Sequence, residues 1–387
     1  MKYRTHKDLT LSEIGVGCYA LSGVYGPKDP NRFKAMLVRA YELGINFFDV
    51  AEGYGNAELI LGGIVRTFRT NIHIASKVGV IEGLQPNLSR AYIEKACERS
   101  LTRLQTDYLD LYQVHFDDPE TPVEETVQAL EDLKQAGKIR HYGVCHLPIE
   151  RVTEYMRLGD PFSVLMELSA VTRDALNAIL PLCQQHQVAG IAFSTTGRGI
   201  LTGHFDQNTI FPADDLRSLD PLFQRERLLS GLRVANELER LGQKYGKTPA
   251  QMAIAWVLAQ PGIFCALTGA STREHLEENL AAIEFEFSDS DLTDFRVFLN
   301  QEAVKLAHEQ REAICSIFNS PASAITFADL LYVIDNAVQL EVLSENEGMS
   351  LVQELFALRD MPNEIAQQKM EALKNHLVDV FNEYFRG

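Results

Sequence analysis

Four ionisable residues sit where apolar, β-branched runs of the chain give out. Asp49 ends Asn46-Phe47-Phe48-Asp49, Lys77 ends His73-Ile74-Ala75-Ser76-Lys77, and His115 ends Leu109-Asp110-Leu111-Tyr112-Gln113-Val114-His115. Tyr54 follows the first run, in a short loop between Gly53 and Gly55. Brought together, these groups are the parts needed to protonate a carbonyl oxygen while a hydride reaches its carbon. A free phenol, with a pKa of about 10, is a sluggish acid at neutral pH. An ammonium beside it favours the phenolate and lowers that value, and a carboxylate beside the ammonium keeps it charged and aimed. An imidazole can hydrogen-bond the substrate oxygen and share in the transfer. Taken singly, Asp49 reads as a helix cap, Lys77 as a surface charge and His115 as a core histidine. Taken together, at the ends of three successive predicted strands, they favour the catalytic assembly.

Strands that end in charged residues are the layout of a parallel barrel, whose site is built from strand C-termini. Up to about residue 285, short β-branched runs alternate with longer helical patterns, the signature of βαβ units. Eight strands are predicted, centred on Glu13–Cys18, Asn46–Val50, His73–Val78, Leu109–His115, His141–Cys145, Ser163–Glu167, Gly190–Ser194 and Ile263–Thr268. Thr121-Pro122-Val123-Glu124 and Thr248-Pro249-Ala250-Gln251 each predict a capping box with Pro at the first helical position. Ser271-Thr272-Arg273-Glu274 predicts a third box directly after the last strand. Gly137 and Gly246 stand where left-handed helix caps are wanted.

One connection is too long for an ordinary loop. Between Ser194 and the helical pattern near Arg225 lie Gly197, Gly199, Gly203, Pro212 and Pro221. Long loops inside compact domains are usually lids or binding segments, so a lid is favoured over a surface insertion. After Asn300 the character changes: residues 301–387 hold only two prolines, Pro321 and Pro362. Helical runs are predicted at Ala303–Phe318, Ala324–Val342, Ser350–Arg359 and Asn363–Phe385, with Leu373, Leu377, Val380, Phe381 and Tyr384 at helical spacing. There, 6 Lys and Arg stand against 14 Asp and Glu, about half of the chain's net charge. Two domains are therefore expected, residues 1–300 and an all-α appendage over 301–387. The appendage is expected to mediate homo-oligomer or partner contacts, or to roof the barrel mouth.

The chain has 387 residues and a formal charge of −17, which argues against a nucleic-acid partner and against anionic membrane surfaces. No stretch approaches the roughly 18 apolar residues of a membrane span. The six cysteines show no Cys-x-x-Cys spacing and read as reduced thiols of a cytoplasmic protein. Histidines and carboxylates show no metal-ligand spacing, so no metal is expected.

The string Gly44-Ile45-Asn46-Phe47-Phe48-Asp49-Val50-Ala51-Glu52-Gly53-Tyr54-Gly55 resembles the first signature of the aldo-keto reductase superfamily, with Val50 where Thr is usual. Lys77 and His115 match the remaining catalytic positions, and Gly137-Lys138-Ile139-Arg140-His141-Tyr142-Gly143-Val144 is similar to a further signature. Arg198-Gly199-Ile200-Leu201-Thr202-Gly203 and Phe211-Pro212-Ala213-Asp214-Asp215-Leu216-Arg217 resemble the branch with bacterial reductases and potassium-channel β subunits. The resemblance covers roughly residues 8–300. It implies a (β/α)8 TIM barrel, NADP(H) bound extended with NAD(H) as the alternative, and reduction of an aldehyde or ketone with Tyr54 as the acid. It places adenosine-phosphate contacts on Ser271, Arg273, His275, Glu278 and Asn279, further cofactor contacts on Ser194 and Gly197, and an aromatic ring, Phe193, against the nicotinamide. The chain departs from the family at the carboxamide anchor. Cys145-His146 stands where Ser-Asn is usual, and Met166 stands at or next to a Gln position. Losing one or two neutral hydrogen bonds, at about 0.5–1.5 kcal/mol each, weakens cofactor binding without abolishing it. A cofactor-binding regulatory protein with little turnover is the alternative. Tyr19, Tyr25, Phe116 and Phe223 are candidates for an apolar substrate pocket.

Overall fold

The computed structural model describes residues 1–26, 29–79, 86–145, 147–212, 214–340, 342–358 and 361–384. Strands β1 (Tyr3–His6) and β2 (Leu9–Ser12) form an antiparallel hairpin. Eight parallel strands follow: β3 (Ile14–Gly17), β4 (Phe47–Asp49), β5 (His73–Val78), β6 (Leu109–Val114), β7 (Ile139–Cys145), β8 (Ser163–Glu167), β9 (Ala189–Phe193) and β10 (Ile263–Thr268). They pair in chain order, and β10 closes on β3 to complete a barrel. All eight predicted strands are present, most of them within a residue or two of the predicted limits.

The barrel helices are α1 (Pro30–Glu42), α2 (Ala57–Val65), α3 (Arg90–Leu104), α4 (Val123–Gln135), α5 (Ile149–Leu158), α6 (Ile179–His186), α7 (Arg225–Tyr245), α8 (Pro249–Leu258) and α9 (Arg273–Leu280). Their amphipathic faces lie over the strands. In α4, Val123, Val127, Leu130 and Leu133 recur at helical spacing and are buried, while Glu124, Glu125 and Gln128 face outward. Each such side chain contributes about 1.5–3 kcal/mol by leaving water. Covered outside by helices and packed inside, β6 and β10 are buried at every residue. Leu9 and Leu11 of the hairpin pack with Phe47, Leu111, Phe162 and Phe264, plugging the end where the strands begin.

Two caps differ from expectation. Thr121 does not cap α4: its hydroxyl donates to Asp118 at 2.6 Å, and Pro122 itself is the cap residue. A hydroxyl already committed to a buried carboxylate no longer serves a helix end. At α9 the cap is Thr272, whose Oγ1 accepts from the His275 N–H at 3.2 Å, so Ser271 is left out of the helix. The Thr248–Gln251 box forms as expected, and Gly137 and Gly246 adopt positive φ.

The remaining described helices are α10 (Asp289–Asn319), α11 (Phe327–Gln339), α12 (Glu345–Ala357) and α13 (Asn363–Tyr384). No Gly or Pro interrupts residues 289–319, and α10 runs unbroken through the boundary expected at residue 300. By contacts the chain forms two compact units, Met1–Ser218 with Gly231–Arg296, and Leu219–Ser230 with Val297–Gly387. The second unit has its own apolar core of Ile314, Leu330, Val333, Leu355, Leu377 and Phe381. It holds Leu219–Ser230 through Arg227–Asp335 at 3.0 Å and a Tyr332 hydroxyl donating to Glu226 at 2.8 Å. Those contacts bridge distant sequence positions, and no local pattern announces them. Capping boxes at Thr326–Asp329 and Ser344–Glu347 open α11 and α12.

Candidate active site

The strand C-termini bring the four residues together. Asp49 is the last residue of β4, Lys77 is next to last in β5, and His115 directly follows β6. The Lys77 ammonium donates to Asp49 Oδ1 at 2.5 Å and to the Val50 carbonyl at 3.0 Å, and lies 4.9 Å from the centre of the Tyr54 ring. The Tyr54 ring meets His115 edge-on, with centroids 5.7 Å apart. Lys77 and Asp49 are almost wholly buried, at 1% and 4% exposure.

Gln113 belongs to this corner and was missed by the sequence reading. Its Nε2 donates to Asp49 Oδ2 at 3.1 Å. Residues 111, 113 and 115 share one face of the strand by two-residue alternation, and the register sets Gln113 beside Lys77. The signal was present in the spacing; a strand glutamine simply carries no chemistry of its own to attract notice.

The electrostatics differ in one respect from expectation. Burial pushes the Tyr54 phenol above its ordinary value; Lys77 pulls it down by its charge and a hydrogen bond, but incompletely. The dry surroundings outweigh the ammonium, so the phenol stays protonated. Burial opposes the charge of Lys77, yet Asp49 and Tyr54 more than offset that and hold the ammonium above its ordinary range. Burial also raises the Asp49 carboxyl, against the pull of Lys77 and Gln113. With hydrogen bonds reaching both carboxylate oxygens, the pair is read as charged.

Asp49, Tyr54 and His115 open on a cavity of about 670 Å³. Near them its wall carries Tyr19, Tyr25, Phe116 and Cys145, and elsewhere Ser271, His275, Glu278 and Asn279. Phe193 and Ser194 also line it, as does the long connection through Thr195, Arg198, Phe205 and Arg217. Arg217 sits among rings, 5.3 Å from Tyr25 and 4.6 Å from Phe211, and pairs with Asp215 at 2.6 Å. Ser194 and Arg198 hold positive φ, a conformation that costs a non-glycine residue about 1–3 kcal/mol and clusters at functional segments.

Several predicted contacts lie elsewhere. Met166 is buried and does not line the cavity; its neighbour Leu165 does. Alternation explains this, since the register pairs Cys145 with Leu165 and puts both on the inner face, leaving Met166 on the other. Burial pushes the Cys145 thiol up, so it is a neutral, weak hydrogen-bonder. Gly197 is absent from the wall and serves a turn, its N–H donating to the Ser194 carbonyl at 2.6 Å. Arg273 is also absent from the wall: it is exposed and donates to the Ala35 carbonyl at 3.2 Å. Phe223 is buried but not in the wall. His146 lies outside the described residues. Among the described residues no group of His, Cys, Asp and Glu could hold a metal, and no helix is long and apolar enough to cross a membrane.

The model of the aldo/keto reductase family matches residues 13–299. The aldo-keto reductase YhdN of Bacillus subtilis is 32% identical over 310 residues, 77% of this chain and 94% of that protein. The NADH-specific methylglyoxal reductase of Escherichia coli is 30% identical over 311 residues, 75% of this chain and 95% of its own. Among solved structures, a glycerol dehydrogenase from Gluconobacter oxydans superposes with a TM-score of 0.70 at 28% identity, covering 78% of this chain and 95% of its own. An aldo-keto reductase of Klebsiella pneumoniae in complex with NADPH gives 0.63 at 28% identity, covering 77% and 96%.

Proposed function

The chain belongs to the aldo/keto reductase family, and from that premise we propose that it is an NADP(H)-dependent carbonyl reductase acting on an aldehyde or ketone. The observation that carries this reading is the charged Lys77–Asp49 pair beneath the Tyr54 ring, with His115 beside it at the cavity wall. A bound reduced nicotinamide would supply the hydride. Tyr54 gives its proton to the carbonyl oxygen. The oxyanion formed by hydride addition is a stronger base than a phenolate, so transfer from a phenol raised by burial is still downhill. Lys77 stabilises the phenolate left behind, Asp49 keeps Lys77 charged, and His115 orients the oxygen.

Polar groups at Ser271, His275, Glu278 and Asn279 fit the adenosine-phosphate part of the cofactor. The Klebsiella pneumoniae relative with NADPH favours NADP(H); the NADH-specific relative from Escherichia coli keeps NAD(H) as the alternative. Titration of the chain with each cofactor decides between them. Consumption of NADPH with simple aldehydes, lost in Tyr54→Phe while cofactor binding is kept, is the expected result. The apolar floor of Cys145 and Leu165 favours one other reading, a cofactor-binding regulatory protein; tight binding with no turnover across a broad panel would decide for it. We also propose that the protein is cytoplasmic and that the second unit mediates assembly, which sedimentation of the full chain at the mass of an oligomer would support.

A further inference from the structure

Tyr54 stands in a loop that should be loose. It is flanked by Gly53 and Gly55, and Gly55 has φ +55°. Its backbone ties are few: Val50 N–H to Ala75 at 2.9 Å, a long Glu52 N–H contact to Lys77 at 3.5 Å, and local turns at Tyr54 and Ala57. The side chains on either side supply what the backbone lacks. Glu52 Oε1 accepts from Arg99 Nε at 2.8 Å and Nη2 at 2.7 Å, its Oε2 accepts from the Tyr92 hydroxyl at 3.3 Å, and Arg103 lies 3.6 Å away. On the far side of Tyr54, Glu58 accepts from Arg103 Nε at 2.6 Å and from the Ser76 hydroxyl at 2.5 Å. Ser76 is the neighbour of Lys77, so one network holds both ends of the Tyr54 loop and the strand that carries the ammonium.

We propose that Glu52, Arg99, Arg103 and Glu58 form a positioning clamp for Tyr54, setting the distance between its hydroxyl and the substrate's carbonyl oxygen. The inference rests on reading Tyr54 as the proton donor. Arg99 and Arg103 are four residues apart on α3 and therefore on one face. Two guanidinium groups meet two carboxylates, so the charges balance. Glu58 has no exposed surface, and the Glu52 side chain is 12% exposed. With its arginine side chains 43% and 29% exposed, the network adds little net stability. What it adds here is geometry, because guanidinium–carboxylate contacts fix direction as well as distance. Proton transfer is sensitive to that geometry.

The test uses the full chain. Glu52→Ala is expected to lower kcat with an aldehyde about 30-fold, within the 10²-fold that a misplacement of about 1 Å costs. The KM of the aldehyde and the Kd of NADPH should stay within a factor of about three, because none of the four clamp residues lines the cavity. The solvent deuterium isotope effect on kcat should rise, since the proton step becomes more limiting. Glu52→Gln, which keeps an acceptor for Arg99 and Tyr92, should recover most of the loss. Asp110→Asn, matched for thermal stability, should leave kcat unchanged. A second readout needs no turnover: fluorotyrosine at position 54 should give one sharp 19F resonance that broadens or splits in Glu52→Ala. An unchanged resonance, or a kcat loss equal to that of Asp110→Asn at matched stability, overturns the clamp. Absence of turnover in the parent protein overturns the carbonyl-reductase reading instead and leaves the resonance test in force.

Discussion

Two buried aspartates of the same barrel have opposite characters. Asp110, near the start of β6, receives Arg69 at 2.8 Å, His73 at 3.1 Å, Arg140 at 3.2 Å and the Ile74 N–H at 2.9 Å. Burial pushes its carboxyl up, but the bond from His73, the Arg69 charge and the backbone donor prevail and hold it below the ordinary range. Asp49, at the end of β4, receives Lys77 and Gln113 among the described residues, and burial keeps it raised. One carboxylate receives four donors, three of them from basic side chains, and the other receives one cation and one neutral amide. The difference matches the division of labour in parallel barrels, where the end at which strands begin holds the fold together and the opposite end does chemistry. A saturated acid stabilises; a sparsely held one transmits its charge to Lys77 and, through it, to Tyr54.

Breaking the sparsely held end should cost activity. Tyr54→Phe is expected to lower kcat about 10³-fold, roughly 4 kcal/mol, with NADPH affinity retained in a binding titration. Breaking the saturated end should cost stability. Asp110→Asn leaves Arg69 and Arg140 without a carboxylate and should destabilise by about 3 kcal/mol in denaturant unfolding, with kcat unaltered where the protein is folded. Equal losses of kcat in both variants would erase the distinction. Gln113→Leu sharpens it: removing the second donor to Asp49 should lower kcat about five-fold, near 1 kcal/mol, and change the unfolding midpoint little.

The smallest effect is in pH. The folded-state pKa of Asp110 lies below its unfolded value of about 3.9, so its stabilisation is complete above that value. It is lost as pH falls through the folded value. Unfolding free energies of the parent and Asp110→Asn should therefore differ most near pH 5 and converge towards pH 2. Curves that stay parallel over that range would mean that Asp110 titrates alike in both states.

Much of this was legible in residue order. Asp49, Lys77 and His115 announced themselves because a charged residue ending a buried strand is costly without a task. The strands were visible because burial on both faces leaves continuous apolar runs. Gln113 was missed because the corner needs the register between β5 and β6, and the place of Met166 away from the cavity wall was not legible because a one-residue ambiguity reverses the face of a strand. The residue division was also only partly legible, since α10 has no helix breaker at the boundary between the units and Leu219–Ser230 joins a core formed much later in the chain.

Residue types and alternating periods by themselves determined the barrel and the four ionisable residues that meet at its strand ends, and the motif strings carried the resemblance to the family. These depend on local patterning, which the chain carries in its order. The tertiary structure decided the rest: which donors saturate Asp110 and spare Asp49, that burial outweighs Lys77 at Tyr54, and that two arginines of α3 grip both sides of the tyrosine loop. Each of those depends on how many groups from distant positions converge on one buried atom, and only folding sets that number.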